Sequence, residues 1–129
     1  MKIVLVDDDP TVLTMLSKIL QRKGHEVLTY SNPLECPVYA SALGSCTLED
    51  NCPDIIISDV DMPKVNGLKF IEAICKKGCR CKKLALISGK GLDRADLDRM
   101  ANYGISFFTK PLNFNEFNAW MMGADRLLA

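Results

Sequence analysis

Several polar residues each lie at or just past the end of an apolar run of the chain: Asp7, Asp8, Asp59, Ser88 and Lys110. Crowded carboxylates repel one another, so ionising all of them is costly unless a cation lies among them. Mg²⁺ prefers oxygen ligands and keeps coordination positions for water and phosphoryl oxygens. A metal, a lysine and a hydroxyl are together sufficient to hold a phosphoryl group. Asp59 is therefore predicted to be a carboxylate nucleophile that forms an acyl phosphate.

The elements that must bring these residues together are alternating strands and helices. Strands are predicted at Lys2–Val6, Glu26–Tyr30, Ile55–Ser58, Leu84–Ile87 and Ile105–Thr109. Helices are predicted after them, capped or started at Asp9, Asn32, Gly67, Leu92 and Asn113. Strict alternation predicts an α/β fold, a doubly wound five-stranded parallel sheet with helices on both faces. Because the carboxyl ends of parallel strands share one rim, the polar residues are predicted to meet there.

Length and charge restrict the class of protein. The 129 residues are enough for one domain, predicted over 1–129, and the 16 acidic and 16 basic side chains balance. This balance predicts no direct binding to nucleic acid and none to membranes. No apolar run approaches the ~20 residues of a membrane span, and the first run is too short for a signal peptide. We therefore expect a cytoplasmic protein.

The combination of motifs resembles the receiver domain of two-component response regulators, of the single-domain chemotaxis-regulator type. The matching segments are Val6-Asp7-Asp8, Ser58-Asp59-Val60-Asp61-Met62-Pro63, Asn66-Gly67, Ser88-Gly89 and Phe107-Phe108-Thr109-Lys110-Pro111. The resemblance extends over essentially the whole chain, with its elements in order. It implies a single receiver domain with the flavodoxin-like (βα)5 fold and the strand order 2-1-3-4-5.

The resemblance also implies roles for the acidic residues. Asp59 is the expected phosphoacceptor, which takes a phosphoryl group from the phosphohistidine of a histidine kinase or phosphotransfer protein. Asp8 and Asp59 are expected to ligate Mg²⁺ together with the backbone carbonyl of Asp61. Asp7 is expected to act on the same ion through a bound water.

Other implied roles concern activation. Lys110 is expected to pair with phosphoryl oxygens, and Ser88 to move toward them. Phe107 is the aromatic switch position that turns inward when Ser88 moves, although simple core packing is an equal alternative for it. The output surface is the face of the fourth helix, fifth strand and fifth helix, which would meet an effector protein or an output domain. The bond between Lys110 and Pro111 is expected to be cis.

Alternative functions stay open at this stage. The leading interpretation is a switch that accepts and slowly hydrolyses its own acyl phosphate and is not a turnover enzyme. A phosphorylation-independent interaction module is a second interpretation. A phosphatase is a third, because Asp59-Val60-Asp61 resembles the nucleophile motif of haloacid-dehalogenase-type phosphatases. The cognate kinase, a phosphorylation-dependent dimer and the choice between a stand-alone protein and a fragment stay open as well.

Asp61 and Lys90 each lie two residues beyond a site residue, Asp59 and Ser88 respectively. One hypothesis is that they form an ion pair across the mouth of the site and slow the loss of the phosphoryl group. The alternative is two solvated charges, because exposed ion pairs are weak.

Six cysteines depart from the family pattern: Cys36, Cys46, Cys52, Cys75, Cys79 and Cys81. Cys52 precedes the third predicted strand and Cys81 the fourth, so all but Cys36 are predicted to gather on the rim opposite the polar residues. Free thiols, disulfides, and a structural zinc or iron–sulfur site are all open, although the spacings match no standard metal signature.

Overall fold

Strand and helix bounds follow from the computed structural model, which describes residues 1–32, 53–62, 66–76, 83–89 and 92–128, without the side chains of 124–128. The strands are β1 (Lys2–Val6), β2 (Glu26–Tyr30), β3 (Ile55–Asp59), β4 (Lys83–Ser88) and β5 (Ile105–Thr109). The helices are α1 (Pro10–Arg22), α2 (Gly67–Lys76), α3 (Arg94–Tyr103) and α4 (Phe114–Leu128). The helix predicted to start at Asn32 falls largely outside the described residues, so these four are numbered consecutively.

The sheet is parallel throughout and has the order β2-β1-β3-β4-β5. This confirms the doubly wound fold and the predicted strand order. β3 lies at the centre, and all of its residues are buried. An unbroken apolar run suits such a strand because helices cover both faces of a parallel sheet. In register, Val6 of β1 pairs with Ser58, and Asp59 pairs with Ile87 of β4, so the strand ends lie side by side.

Two hydrophobic clusters lie on opposite faces of the sheet, because successive side chains of a strand point in opposite directions. Val4 and Ile56 belong to the cluster that also contains side chains of α2 and α3. Ile3 and Ile57 belong to the other cluster, with side chains of α1 and α4. Two of the described helices therefore pack on each face, which agrees with the prediction of helices on both faces.

Helix starts depend on polar caps. The Asp9 side chain accepts a hydrogen bond from the Thr11 backbone N–H, and Asn113 accepts from the second residue of α4, as predicted. The predicted start of the third described helix at Leu92 is wrong by two residues. Asp93 caps α3 by accepting from the Asp96 backbone N–H, so the helix begins one residue after this cap. Among the described helices, none is both long and apolar enough to cross a membrane.

Candidate functional site

The predicted site residues meet at the carboxyl rim of the sheet. Lys110 lies between two carboxylates, with its Nζ 3.3 Å from Asp7 Oδ2 and 3.4 Å from Asp59 Oδ2. Asp7 and Asp59 are each only 4% exposed, and Ser88 is fully buried. The backbone N–H of Lys110 donates to the carbonyl of Ser88 at 2.8 Å, which joins the ends of β4 and β5. The residues therefore lie close together, as their positions at the strand ends predicted.

Three carboxylates form the floor of this site. Oxygens of Asp7, Asp8 and Asp59 all lie within 4.8 Å of one another. Asp8 is exposed, whereas the other two side chains are buried. Asp7 Oδ1 accepts a hydrogen bond of 2.9 Å from the Asp9 backbone N–H, so the turn after β1 orients it. An all-oxygen donor set with one solvent-facing carboxylate fits a hard cation such as Mg²⁺.

The electrostatics of the site indicate excess negative charge. Burial and the neighbouring Asp7 carboxylate raise the pKa of Asp59 to about 6, although Lys110 opposes this. Burial raises the pKa of Asp7 as well. Burial alone would lower the pKa of Lys110, but the two carboxylates outweigh it and raise that pKa. One lysine thus leaves the cluster under-neutralised, which favours a bound cation.

A pH-dependent loss of stability is expected from Asp59. Because folding raises its pKa from 3.8 to about 6, its contribution to the free energy of unfolding is fully present below pH 3.8 and is lost as the pH rises through about 6. In metal-free protein this loss amounts to at most about 3 kcal/mol at pH 7. Mg²⁺ should restore stability at pH 7, since it binds the folded site and not the unfolded chain.

Urea unfolding of the chain and of its Asp59→Asn variant at pH 4 and pH 7 measures this effect. The variant carries an uncharged amide, so it should become the more stable protein at pH 7 and gain little from Mg²⁺. A difference between the two proteins that is the same at both pH values would contradict the expectation.

Asp61 contacts two other site residues. Its carboxylate Oδ2 accepts a hydrogen bond of 3.0 Å from Ser88 Oγ, and its backbone N–H donates to Asp59 Oδ1 at 3.3 Å. The sequence pointed to its backbone carbonyl and to a pair with Lys90, which lies outside the described residues. The contact with Ser88 was not predicted. Asp61 lies two residues beyond β3 and Ser88 ends β4, which places the two residues near one another but does not determine where the Asp61 side chain points.

Gly67 is a second residue whose role the sequence did not reveal. It begins α2 directly against the end of β3, and its backbone N–H donates to the Val60 carbonyl at 3.0 Å. A Cβ added there would lie 2.8 Å from the Asp59 carbonyl carbon and closer still to its oxygen. Only glycine therefore allows this approach. Asn66 accepts a hydrogen bond from the Leu68 backbone N–H at 2.8 Å and so caps the same helix.

Phe107 lies on β5, and the Lys110–Pro111 bond follows the end of that strand. Phe107 is half-buried and packs against the hydrophobic cluster that faces α2 and α3. This position suits both core packing and a switch. The Lys110–Pro111 peptide bond is cis, as expected.

The predicted cysteine cluster falls mostly outside the described residues, which include Cys75 but not Cys36, Cys46, Cys52, Cys79 or Cys81. Cys75 is a free, half-buried thiol on α2. Burial and the nearby Glu72 carboxylate raise the pKa of this thiol. It is consequently a weak nucleophile at neutral pH, because the thiolate is the reactive form.

Comparison with known proteins finds relatives of this chain. The family model of the response regulator receiver domain matches residues 3–121. The two-component response regulator ORR26 of Oryza sativa subsp. japonica is 39% identical over 74 residues, which are 57% of this chain and 12% of that protein. The alkaline phosphatase synthesis transcriptional regulatory protein PhoP of Bacillus subtilis is 29% identical over 121 residues, which are 92% of this chain and 45% of that protein. The chain thus spans less than half the length of either relative.

A solved structure shares the fold. The chemotaxis protein CheY4 of Vibrio cholerae superposes with a TM-score of 0.73 at 23% sequence identity. The superposition covers 95% of this chain and 97% of that chain. The likeness therefore extends over nearly the whole chain and concerns the fold.

Proposed function

The chain belongs to the response regulator receiver domain family, and from this membership we propose that it is a phosphorylation-controlled switch whose phosphoacceptor is Asp59. Receiver domains are signalling domains and generally not turnover enzymes. The observation that carries the proposal is the buried Asp59 carboxylate, which lies 3.4 Å from Lys110 Nζ and beside two further carboxylates. A carboxylate nucleophile requires such a combination of an ionised oxygen and nearby positive charge.

The proposed reaction is a phosphoryl transfer from nitrogen to oxygen. An Asp59 oxygen attacks the phosphorus of a phosphohistidine on a histidine kinase or phosphotransfer protein. A P–O bond forms on Asp59 while the P–N bond breaks, and the imidazole leaves with the electron pair and takes up a proton. Lys110 is positioned to meet the phosphoryl oxygens, because its Nζ already lies beside the acceptor carboxylate.

The acidic cluster fits the Mg²⁺ ion that this family binds at its acidic pocket. Asp8, Asp59 and the backbone carbonyl of Asp61 would hold the ion, and Asp7 would act through a water. Once bound, the ion supplies the positive charge that offsets repulsion between the carboxylates and the incoming phosphoryl group. A bound cation would offset the burial and the Asp7 charge that together raise the pKa of Asp59 to about 6, which supports this assignment.

Phosphorylation would then change the surface of the domain. An acyl phosphate carries a charge of about −2, so phosphorylation makes the site more negative by about one charge than the ionised carboxylate does. Ser88 and Lys110 gain contacts in that state only, so the modification shifts a two-state equilibrium. Phe107 would follow Ser88 inward and alter the face formed by α3, β5 and α4. The proposed partner of this face is an effector protein or an output domain, or a second copy of the chain in a phosphorylation-dependent dimer. The proposed location is the cytoplasm.

Acetyl phosphate with Mg²⁺ tests the proposed function. The chain is expected to take up one phosphoryl group at Asp59, and Asp59→Asn should take up none. Asp98→Asn makes the same chemical change at an exposed position of α3 and should label like the unmodified chain. Multiple turnover of phosphomonoesters would instead indicate a phosphatase. No labelling, together with no response to beryllofluoride, would indicate an interaction module.

A further inference from the structure

The carboxylate of Asp61 holds the hydroxyl that the phosphorylated state needs. Ser88 Oγ donates to Asp61 Oδ2 at 3.0 Å, although Ser88 is fully buried and Asp61 is exposed. We propose that this hydrogen bond, here called the Asp61 latch, stabilises the unphosphorylated arrangement and must break before Ser88 can contact a phosphoryl group on Asp59. The proposal rests on the function proposed above and names a regulator of the same site.

The latch follows from the bonding capacity of a hydroxyl. A serine hydroxyl carries one proton and donates to one acceptor at a time. A carboxylate is a strong acceptor, because hydrogen bonds to charged groups exceed those between neutral ones. While Ser88 donates to Asp61, its proton is not available to a phosphoryl oxygen. Any ligand that recruits Ser88 must therefore compete with Asp61.

The position of Asp61 makes it suited to this competition. Its backbone N–H donates to Asp59 Oδ1 at 3.3 Å, so the residue that restrains Ser88 is fixed against the phosphoacceptor itself. Asp61 thus contacts both residues that must meet on activation. Because a ligand and a restraint on the same hydroxyl are thermodynamically linked, the latch lowers affinity for the phosphoryl group and the phosphoryl group weakens the latch.

Asp61 also carries a negative charge that repels a phosphoryl group, and this effect must be separated from the latch. Replacing Asp61 with alanine removes both the charge and the acceptor. In a Ser88→Ala background only the charge effect remains, since no hydroxyl is present to be held. The difference between the two effects of Asp61→Ala therefore isolates the hydrogen bond, as in a double-mutant cycle.

The experiment measures beryllofluoride affinity at saturating Mg²⁺ by ¹⁹F NMR in four proteins: the unmodified chain, Asp61→Ala, Ser88→Ala and the double variant. Saturating Mg²⁺ removes any contribution from altered metal affinity, and both substitutions keep the backbone carbonyl of Asp61. Asp61→Ala should tighten beryllofluoride binding in both backgrounds. The fold-change measured with Ser88 present should be about five to ten times the fold-change measured with Ser88→Ala.

Each outcome bears on a different statement. Equal effects of Asp61→Ala in both backgrounds would overturn the latch, because charge alone would then explain them. Failure of the unmodified chain to bind beryllofluoride would instead refute the proposed function. Asp61→Asn provides a further check, since it keeps an oxygen acceptor without the charge. It should therefore retain part of the coupling to Ser88, and loss of the whole coupling would show that the acceptor oxygen is not what holds the hydroxyl.

Discussion

Lys110→Ala is expected to slow phosphorylation of Asp59 by about a hundredfold or more, a loss typical of removing one charge-stabilising donor from a reaction site. The Lys110 ammonium lies 3.4 Å from Asp59 Oδ2 and only 29% of its side chain is exposed. Charge–charge interactions are strong in such a poorly hydrated position. Phosphoryl transfer depends mainly on positioning and charge neutralisation, so the rate should respond strongly. Initial rates of labelling by acetyl phosphate measure the effect.

The same substitution should leave Mg²⁺ binding as strong as before or strengthen it. Lys110 neutralises Asp7 and Asp59, the carboxylates that surround the proposed cation. Its removal leaves the cluster more negative, which favours a divalent cation. If the phosphorylation rate of Lys110→Ala falls while its Mg²⁺ affinity is unchanged or higher, the lysine stabilises charge in the reaction and does not merely support the fold.

Two further substitutions sharpen this test. Lys110→Arg keeps the charge but places a planar, wider group between the carboxylates, so it should restore little of the rate. Lys69→Ala removes an exposed lysine from α2 and should phosphorylate normally. Weaker Mg²⁺ binding in Lys110→Ala, with a proportionate fall in rate, would show that the lysine acts through the structure of the site alone.

The convergence of the site residues was predictable from sequence for a geometric reason. In a parallel sheet every carboxyl end lies on the same rim, so a residue that closes an apolar run is placed there without knowledge of side-chain packing. Asp59 closes a strand that is buried on both faces, and its unbroken apolar run signals this directly. Asp7 follows β1, which is next to β3, and Lys110 follows β5, which is separated from β3 by β4. Both residues are therefore placed on the same rim as Asp59.

Contacts beyond strand ends were not predictable in this way. The Ser88–Asp61 hydrogen bond depends on how the turn after β3 directs one exposed carboxylate, and residue type and spacing do not determine that direction. The start of α3 shows a similar ambiguity. Leu92 extends the apolar pattern, whereas Asp93 supplies the cap, and capping decides the boundary because it satisfies backbone N–H groups of the first turn. Hydrophobic periodicity alone carries no information about that choice.

Gly67→Ala is expected to destabilise the fold by about 3 kcal/mol or more, because overpacking against a rigid neighbour forces the backbone to move. The added Cβ would overlap the carbonyl group of Asp59, a backbone atom pair that cannot rotate away. The start of α2 must then shift from the end of β3, and Asp59 shifts with it. We therefore expect weaker Mg²⁺ binding and slower phosphorylation in addition to the lower free energy of unfolding measured in urea.

Gly123→Ala provides the matched control for this substitution. Gly123 lies within α4, and among the described residues a Cβ there would meet the Nζ of Lys83 at 3.3 Å, the far end of a flexible side chain. Alanine favours the helix over glycine by about 1 kcal/mol, so this variant should be as stable as the unmodified chain or more so. Gly67→Ala should thus lower the free energy of unfolding, whereas Gly123→Ala should not. If Gly67→Ala were as stable as Gly123→Ala, the close approach of α2 to the Asp59 carbonyl would not require glycine at position 67.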